Sequence, residues 1–320
     1  MRPSRERDLL VKAARMYFID GLSQQDVAGA LGTTRSNVSR ILAAAREQGI
    51  VEIRINEPIR RAYELEDELV AAYPSLEARV LANQPRGDVV VEVGQLAAHW
   101  LVDRLEPKQR VAVSWGGTLQ AMVRAVPPTV MPDVEVVQLV GGLSSLTLHV
   151  SGQELVRELA DRLGCQYRYL HAPALFESAP ALLALRNEPA ISTALDAART
   201  ADIACVGVGV TGVGSSAEII EALALSRQER KAFDATAPIG DICARFFDGE
   251  GHEVDTAVHD RVLAVGLDDL RAIPTVLAVA VGAVKGPAIR AALRGQLVDV
   301  LVCDEAAAHA VLSTAKPASG

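Results

Sequence analysis

Apolar positions in the first fifty residues recur every three or four places and are interrupted twice by glycine. Leu10, Ala13, Ala14, Tyr17 and Phe18 fall on one side of a 3.6-residue period, which predicts an amphipathic helix ending near Asp20-Gly21. Ser23 can cap a second helix, with Asp26 three residues on in a shortened capping box and Val27, Ala28 and Leu31 as its inward stripe. Gly32 then ends that helix, because a left-handed turn costs least without a Cβ. A third helix is predicted from about Thr34, with Val38, Ile41, Leu42 and Ala45 facing in.

Further along, the period changes. Val51, Ile53 and Ile55 alternate with Glu52 and Arg54, a half-buried strand that would serve as a small wing, and Pro58 closes the module. Residues 59–73 read as a connecting helix with Ala62, Leu65 and Leu69 on one face, available either to a second subunit or to the next domain. From about Glu77, short apolar runs alternate with amphipathic helices, the pattern of an α/β domain built on a mainly parallel sheet. The runs read as strands are 110–114, 134–140, 167–172, 202–209, 275–282 and 298–304. The expected organisation is a helix-turn-helix domain over 1–57, a linker helix over 58–76 and a Rossmann-like α/β domain over 77–320.

The overall formal charge is -8, but it is unevenly spread. Residues 1–56 hold nine Lys+Arg against six Asp+Glu, a balance of +3, which leaves 23 against 34, or -11, for the remainder. A cationic end on an anionic body suits contact with a polyanion through that end alone. At about 100° per residue, Ser36 and Arg40 point away from Val38, with Thr33, Asn37 and Ser39 on the flanks. Arg, Asn and Ser are side chains that pair with base edges and phosphates in the major groove. The candidate DNA contacts are therefore Ser23, Gln24, Thr33, Thr34, Arg35, Ser36, Asn37, Ser39 and Arg40.

In the larger part, glycine loops follow strands: Ser114 to Thr118 (SWGGT), Gly141-Gly142, and the run from Gly207 through Gly209 to Ser216. Ligands in open α/β sheets gather at the carboxyl ends of strands, where free amides point outward. Asp241 and Lys285 join these loops as an acidic and a basic candidate, Lys285 near a helix N-terminus where an anion is favoured. Gly207, Gly209 and Gly212 mimic a dinucleotide fingerprint, but no acidic residue ends a following strand at the expected distance, so no nicotinamide or other cofactor is expected. The four cysteines show no CxxC pair and the six histidines no metal-binding spacing, so reduced structural thiols and no zinc are expected. No apolar run of about 18 residues and no signal-peptide pattern is seen, which points to the cytoplasm.

A helix-turn-helix followed by strand-GGT, VGG, ADIxxVGxG, GDIxxRFFDxxG and VAxGxxKxxAIxxAL resembles the SorC family of sugar-responsive transcriptional regulators over nearly the whole chain. The resemblance implies a phosphosugar-isomerase-like effector domain, a sugar phosphate, sugar or polyol as effector, and dimers or tetramers. It implies effector contacts from Gly116, Gly117, Thr118, Asp241 and Lys285, and the glycine loops add Ser114, Gly141, Gly142, Gly207 and Gly209. Trp115, where the motif has a smaller residue, would narrow the pocket or stack on a sugar face. The alternative is a sugar-phosphate isomerase carrying a DNA-binding module, with Asp241 as base and His171 as the one further candidate for proton transfer.

Overall fold

The computed structural model describes residues 3–51, 59–82, 87–143 and 151–313. The chain divides into two compact units, Met1–Pro58 and Ile59–Gly320. Among the described residues no helix is long and apolar enough to cross a membrane.

In the smaller unit, α1 (Pro3–Ala14), α2 (Gln24–Leu31) and α3 (Arg35–Glu47) pack around Leu10, Ala13, Val27, Ala28, Val38, Leu42 and Ala45. The predicted caps are present. Ser23 Oγ accepts from the Asp26 amide at 3.2 Å while the Asp26 carboxylate accepts from the Ser23 amide at 3.3 Å, and Gly32 turns the chain at φ 62°.

One expectation fails. Phe18 is 39% exposed and not part of the inward stripe: at about 100° per residue it lies about 80° from Leu10, on the stripe's margin, and α1 continues there as a π-helical turn over Arg15–Ile19 in which the Asp20 amide reaches back five residues to Arg15 O. Ile19, nine residues from Leu10 and so about 180° from it on an ordinary helix, faces out as well. Of the wing expected at Val51 to Ile55, residues 52–55 lie outside the described residues.

Among its described residues the larger unit has ten strands: β1 (Glu77–Leu81), β2 (Arg110–Val113), β3 (Glu135–Gln138), β4 (Gln166–Arg168), β5 (Ile203–Gly207), β6 (Gly209–Val210), β7 (Gly240–Ile242), β8 (Arg245–Phe247), β9 (Thr275–Ala280) and β10 (Val300–Asp304). Seven of them form a wholly parallel sheet in the order β1-β10-β9-β5-β2-β3-β4. Strands β6, β7 and β8 make a separate antiparallel ribbon. The expected YRYLHA strand shrinks to β4, whose residues are exposed at the sheet edge, and β1, β7 and β8 were not among the expected strands.

Helices cover both faces, as a parallel sheet requires. On one side lie α5 (Val89–Arg104) and α6 (Gly117–Ala125), with α7 (Gly152–Leu163). They pack on Val111, Val113, Cys205, Leu277, Val279 and Val302. The other side takes the alternate residues Ala112, Ala204, Val206, Ala278, Leu301 and Cys303. There the contributors are α4 (Tyr63–Ala72), α9 (Pro189–Arg199), α10 (Ser215–Ala222), α11 (Arg227–Ala235), α12 (Leu267–Ala272), α13 (Gly286–Arg294) and α14 (Glu305–Leu312). A smaller helix, α8 (Ala179–Arg186), buries Leu182 in a satellite cluster. Leu65 and Leu69 of α4 are buried in this core, so the helix expected as a linker packs on the larger unit.

Candidate functional site

Chain direction across the sheet decides where a ligand can sit. From β2 the chain moves outward through β3 to β4, then returns to β5 on the other side of β2 and moves outward again through β9 and β10. The loops after β2 and β5 therefore run to opposite faces and leave a crevice at their carboxyl ends. A cavity of about 360 Å³ lies there, lined by Ser114, Gly116, Gly117, Thr118, Gly207, Gly209, Asp241 and Lys285 among the expected residues. Trp115, Gly214, Ser215, Ser216 and Cys243 line it as well.

Two helices start at this cavity without a side-chain cap. Gly116, at φ 129°, opens α6, and Gly214 opens α10, so the first amides of each carry no capping side chain. Such termini attract anions. Lys285 adds a positive charge at the entry to α13, reached through a single 3₁₀ turn over Ala283–Lys285. Its Nζ donates to Val208 O at 2.5 Å. Thr118 turns its hydroxyl to Val279 O at 3.0 Å, which ties α6 to β9.

Asp241 stands on β7 opposite Gly209 of β6 and is 6% exposed. Its Oδ1 makes no hydrogen bond among the described residues, and neither does the Ser216 hydroxyl. Burial pushes the Asp241 carboxyl above the usual carboxylate range, while the Lys285 ammonium and the Ala244 amide pull it back. Burial likewise lowers Lys285, against the attraction of Asp241. A buried acid with an unpartnered oxygen and a half-buried base facing one cavity would gain most from a ligand that offers both hydroxyls and an anion.

The hairpin that carries Asp241 is braced from outside the cavity. Its turn residues Cys243 and Ala244 both hold positive φ, 56° and 59°, a conformation that usually selects glycine or asparagine. Arg245 fixes the turn by donating to His259 O at 3.1 Å and Val262 O at 3.0 Å, and the Phe246 amide donates to His259 Nε2 at 2.9 Å. His259 Nδ1 faces Glu253 Oε1 at 3.0 Å, so the ring is held in one tautomer by partners on both nitrogens. Sequence reasoning missed this network, because its members are far apart in the chain.

Other expected residues lie elsewhere. Gly141 and Gly142 do not line the cavity: a Cβ on Gly141 would meet Pro173 O at 2.5 Å, so this glycine permits close backbone packing. His171 is exposed, sits edge-on to Tyr169 and borders a different depression with Ser151 and Arg157. Ser215 and Ser216 were missed as candidates, although the glycine run leads straight into them; their place at a helix start facing Asp241 depends on the fold.

In the smaller unit α3 begins at Thr34, whose Oγ1 accepts from the Asn37 amide at 3.2 Å. The Asn37 side-chain amide donates to Thr33 Oγ1 at 2.8 Å, which orients it along the helix start. Arg35, Ser36, Ser39 and Arg40 are exposed. Ser23 spends its hydroxyl on the α2 cap, leaving Gln24 half-buried beside it.

Residues 8–67 match the Crp-like helix-turn-helix domain, and residues 57–313 match the family described as "Putative sugar-binding domain". The chain is 31% identical over 311 residues to the deoxyribonucleoside regulator of Bacillus subtilis (strain 168), covering 96% of this chain and 98% of that protein. It is also 31% identical over 312 residues to the transcriptional regulator LsrR of Enterobacter sp. (strain 638), covering 97% and 94%. Among solved structures, the full-length sorbitol operon regulator SorC from Klebsiella pneumoniae superposes with a TM-score of 0.73 at 28% identity, over 97% of this chain and 100% of that one. With a helix-turn-helix domain and a sugar-binding domain matched together over residues 8–313, the chain belongs to the SorC family of sugar-binding transcriptional regulators.

Proposed function

We propose that residues 1–57 read operator DNA through the outward face of α3, and that a small phosphorylated carbohydrate in the Asp241–Lys285 cavity sets the affinity of that reading. Free sugars and polyols are weaker candidates for the same site. Residues 77–320 form the effector-binding and oligomerisation part on this reading, and the working species is a homo-oligomer. Arg35 and Arg40 supply base or phosphate contacts, with Ser36, Asn37 and Ser39 beside them.

One observation carries the effector reading. The uncapped starts of α6 and α10, the Lys285 ammonium and the Asp241 Oδ1, which has no hydrogen-bond partner among the described residues, all meet in one cavity at the sheet's switch point. The amides and the ammonium suit a phosphate, and the buried carboxylate suits a sugar hydroxyl. The effector acts only by binding two arrangements of the protein unequally, and a 5- to 150-fold change in operator affinity corresponds to about 1–3 kcal/mol of coupling.

Thermal unfolding against a panel of pentose and hexose phosphates, with the matching free sugars, tests this. A phosphorylated member should raise the melting temperature and alter retention of DNA from the regulator's own promoter region. A panel in which free sugars stabilise and no phosphate does would overturn the phosphate preference. Turnover of an aldose or ketose phosphate would overturn a purely regulatory role. Arg40→Ala should weaken DNA binding and leave the thermal response to effector intact.

A further inference from the structure

The smaller unit carries a second surface, on the side of α1 turned away from its core. Leu10, Ala13 and Ala14 face the core, so at about 100° per residue the opposite stripe is Asp8, Val11, Lys12 and Arg15. All four are exposed. Val11 at 39%, Phe18 at 39% and Ile19 at 71% are the exposed large hydrophobics of this unit among its described residues, and all lie on α1 or its π-helical extension. A groove of about 470 Å³ follows the same stripe, bordered by Asp8, Val11, Lys12, Arg15, Met16 and Asp20. Asp8, Lys12 and Arg15 form no ion pair among the described residues.

The order of charge along this stripe selects its occupant. It runs acid, apolar, base, base from the amino end. Set antiparallel to a copy of itself about a two-fold axis between positions 11 and 12, Asp8 of each chain meets Arg15 of the other and Val11 meets the stem of Lys12. A parallel pairing would set like charges together.

We propose that this stripe pairs with the same stripe of a second copy of the chain, α1 antiparallel to α1, so that two reading heads are presented as a symmetric pair. Helix-turn-helix proteins read two half-sites related by a two-fold axis, and such a contact sets the spacing of the two α3 helices. The contact is small, so it depends on whatever else holds the chains together and on DNA to raise the local concentration. It does not rest on the identity of the effector.

Disulfide trapping in the full-length chain tests it. Seven residues of helix span about 10.5 Å, beyond the reach of a disulfide, so cysteines at positions 8 and 15 of one chain cannot bridge each other. Asp8→Cys/Arg15→Cys should therefore give a covalent dimer under oxidation, in roughly tenfold excess over either single variant, which shares the same native thiols. Val11→Cys, next to the two-fold axis, should cross-link alone. Adding Arg15→Asp should lower that yield, and adding Asp8→Arg as well should restore it. Equal yields from the double and single cysteine variants would overturn the proposal, as would a Val11→Cys yield indifferent to Arg15→Asp. If another part of the chain covers the stripe, the double variant stays uncrosslinked, and that result overturns the proposal too.

Discussion

Replacing Gly209 by alanine tests the cavity through a single added carbon. The new Cβ would stand 1.9 Å from Asp241 Oδ1, 2.7 Å from its Cγ and 3.2 Å from Oδ2. Ordinary contact begins near 3.4 Å, so the carboxyl group must withdraw by about 1.5 Å, more than a hydrogen bond to a bound hydroxyl tolerates. The φ of Gly209 is not positive, so alanine is not strained there and the disturbance stays at the carboxylate. Asp241 cannot relax into solvent, because it is 6% exposed. Losing one charge-assisted hydrogen bond to the effector costs about 1.5–3 kcal/mol, or roughly 10- to 150-fold in affinity.

Titration calorimetry with a sugar phosphate that stabilises the wild-type chain is the assay, with operator binding as the check that the smaller unit is intact. The expected result is weakened effector binding and unchanged DNA affinity without effector. Wild-type effector affinity in a folded Gly209→Ala protein would refute the placement of Asp241 in the binding site.

Lys285→Met should cut affinity for a phosphorylated effector by at least about tenfold and affect its unphosphorylated counterpart less, since only the first needs the ammonium; equal losses in calorimetry would contradict this. Glu253 is raised by partial burial but held down more strongly by His259, the Leu267 amide and Arg245, to about 2 against an ordinary 4.5. Its contribution to stability is complete above the ordinary value and is lost as pH falls from there towards 2. Urea unfolding from pH 5 to pH 3 should accordingly show a flatter profile for Glu253→Gln than for the wild type. Burial pushes Cys205 and Cys243 up to about 12 and Cys165 to about 11, and raises Cys303 as well. A thiol reagent at pH 7.5 should react slowly with the folded chain and fully after unfolding, and rapid reaction of the native protein would contradict the burial.

The reading head was legible because its signals are local. A serine before a helix, a glycine after it and a 3.6-residue stripe act within a few residues of themselves, and Ser23, Gly32 and Val38 stand where those rules place them. Phe18 escaped because it lies on the margin of the stripe, about 80° from Leu10, where the period alone does not decide burial. In the larger unit, the alternation of apolar runs and helices announced a parallel sheet, and glycines after strands announced two of the strand ends that border the cavity.

Strand order was not written in any segment, and it is what separates the loops after β2 and β5 that line the cavity from Gly141 and Gly142 after β3 that do not. The strands β7 and β8 were too short to register as runs, and their turn, Cys243-Ala244, lacks the residues that advertise a hairpin. Arg245 and His259 hold that turn from positions distant in sequence, and so place Asp241 against Gly209, Ser216 and Lys285. Residue types and local elements follow from neighbours along the chain, whereas which acid meets which base is decided by contacts between segments that only packing brings together.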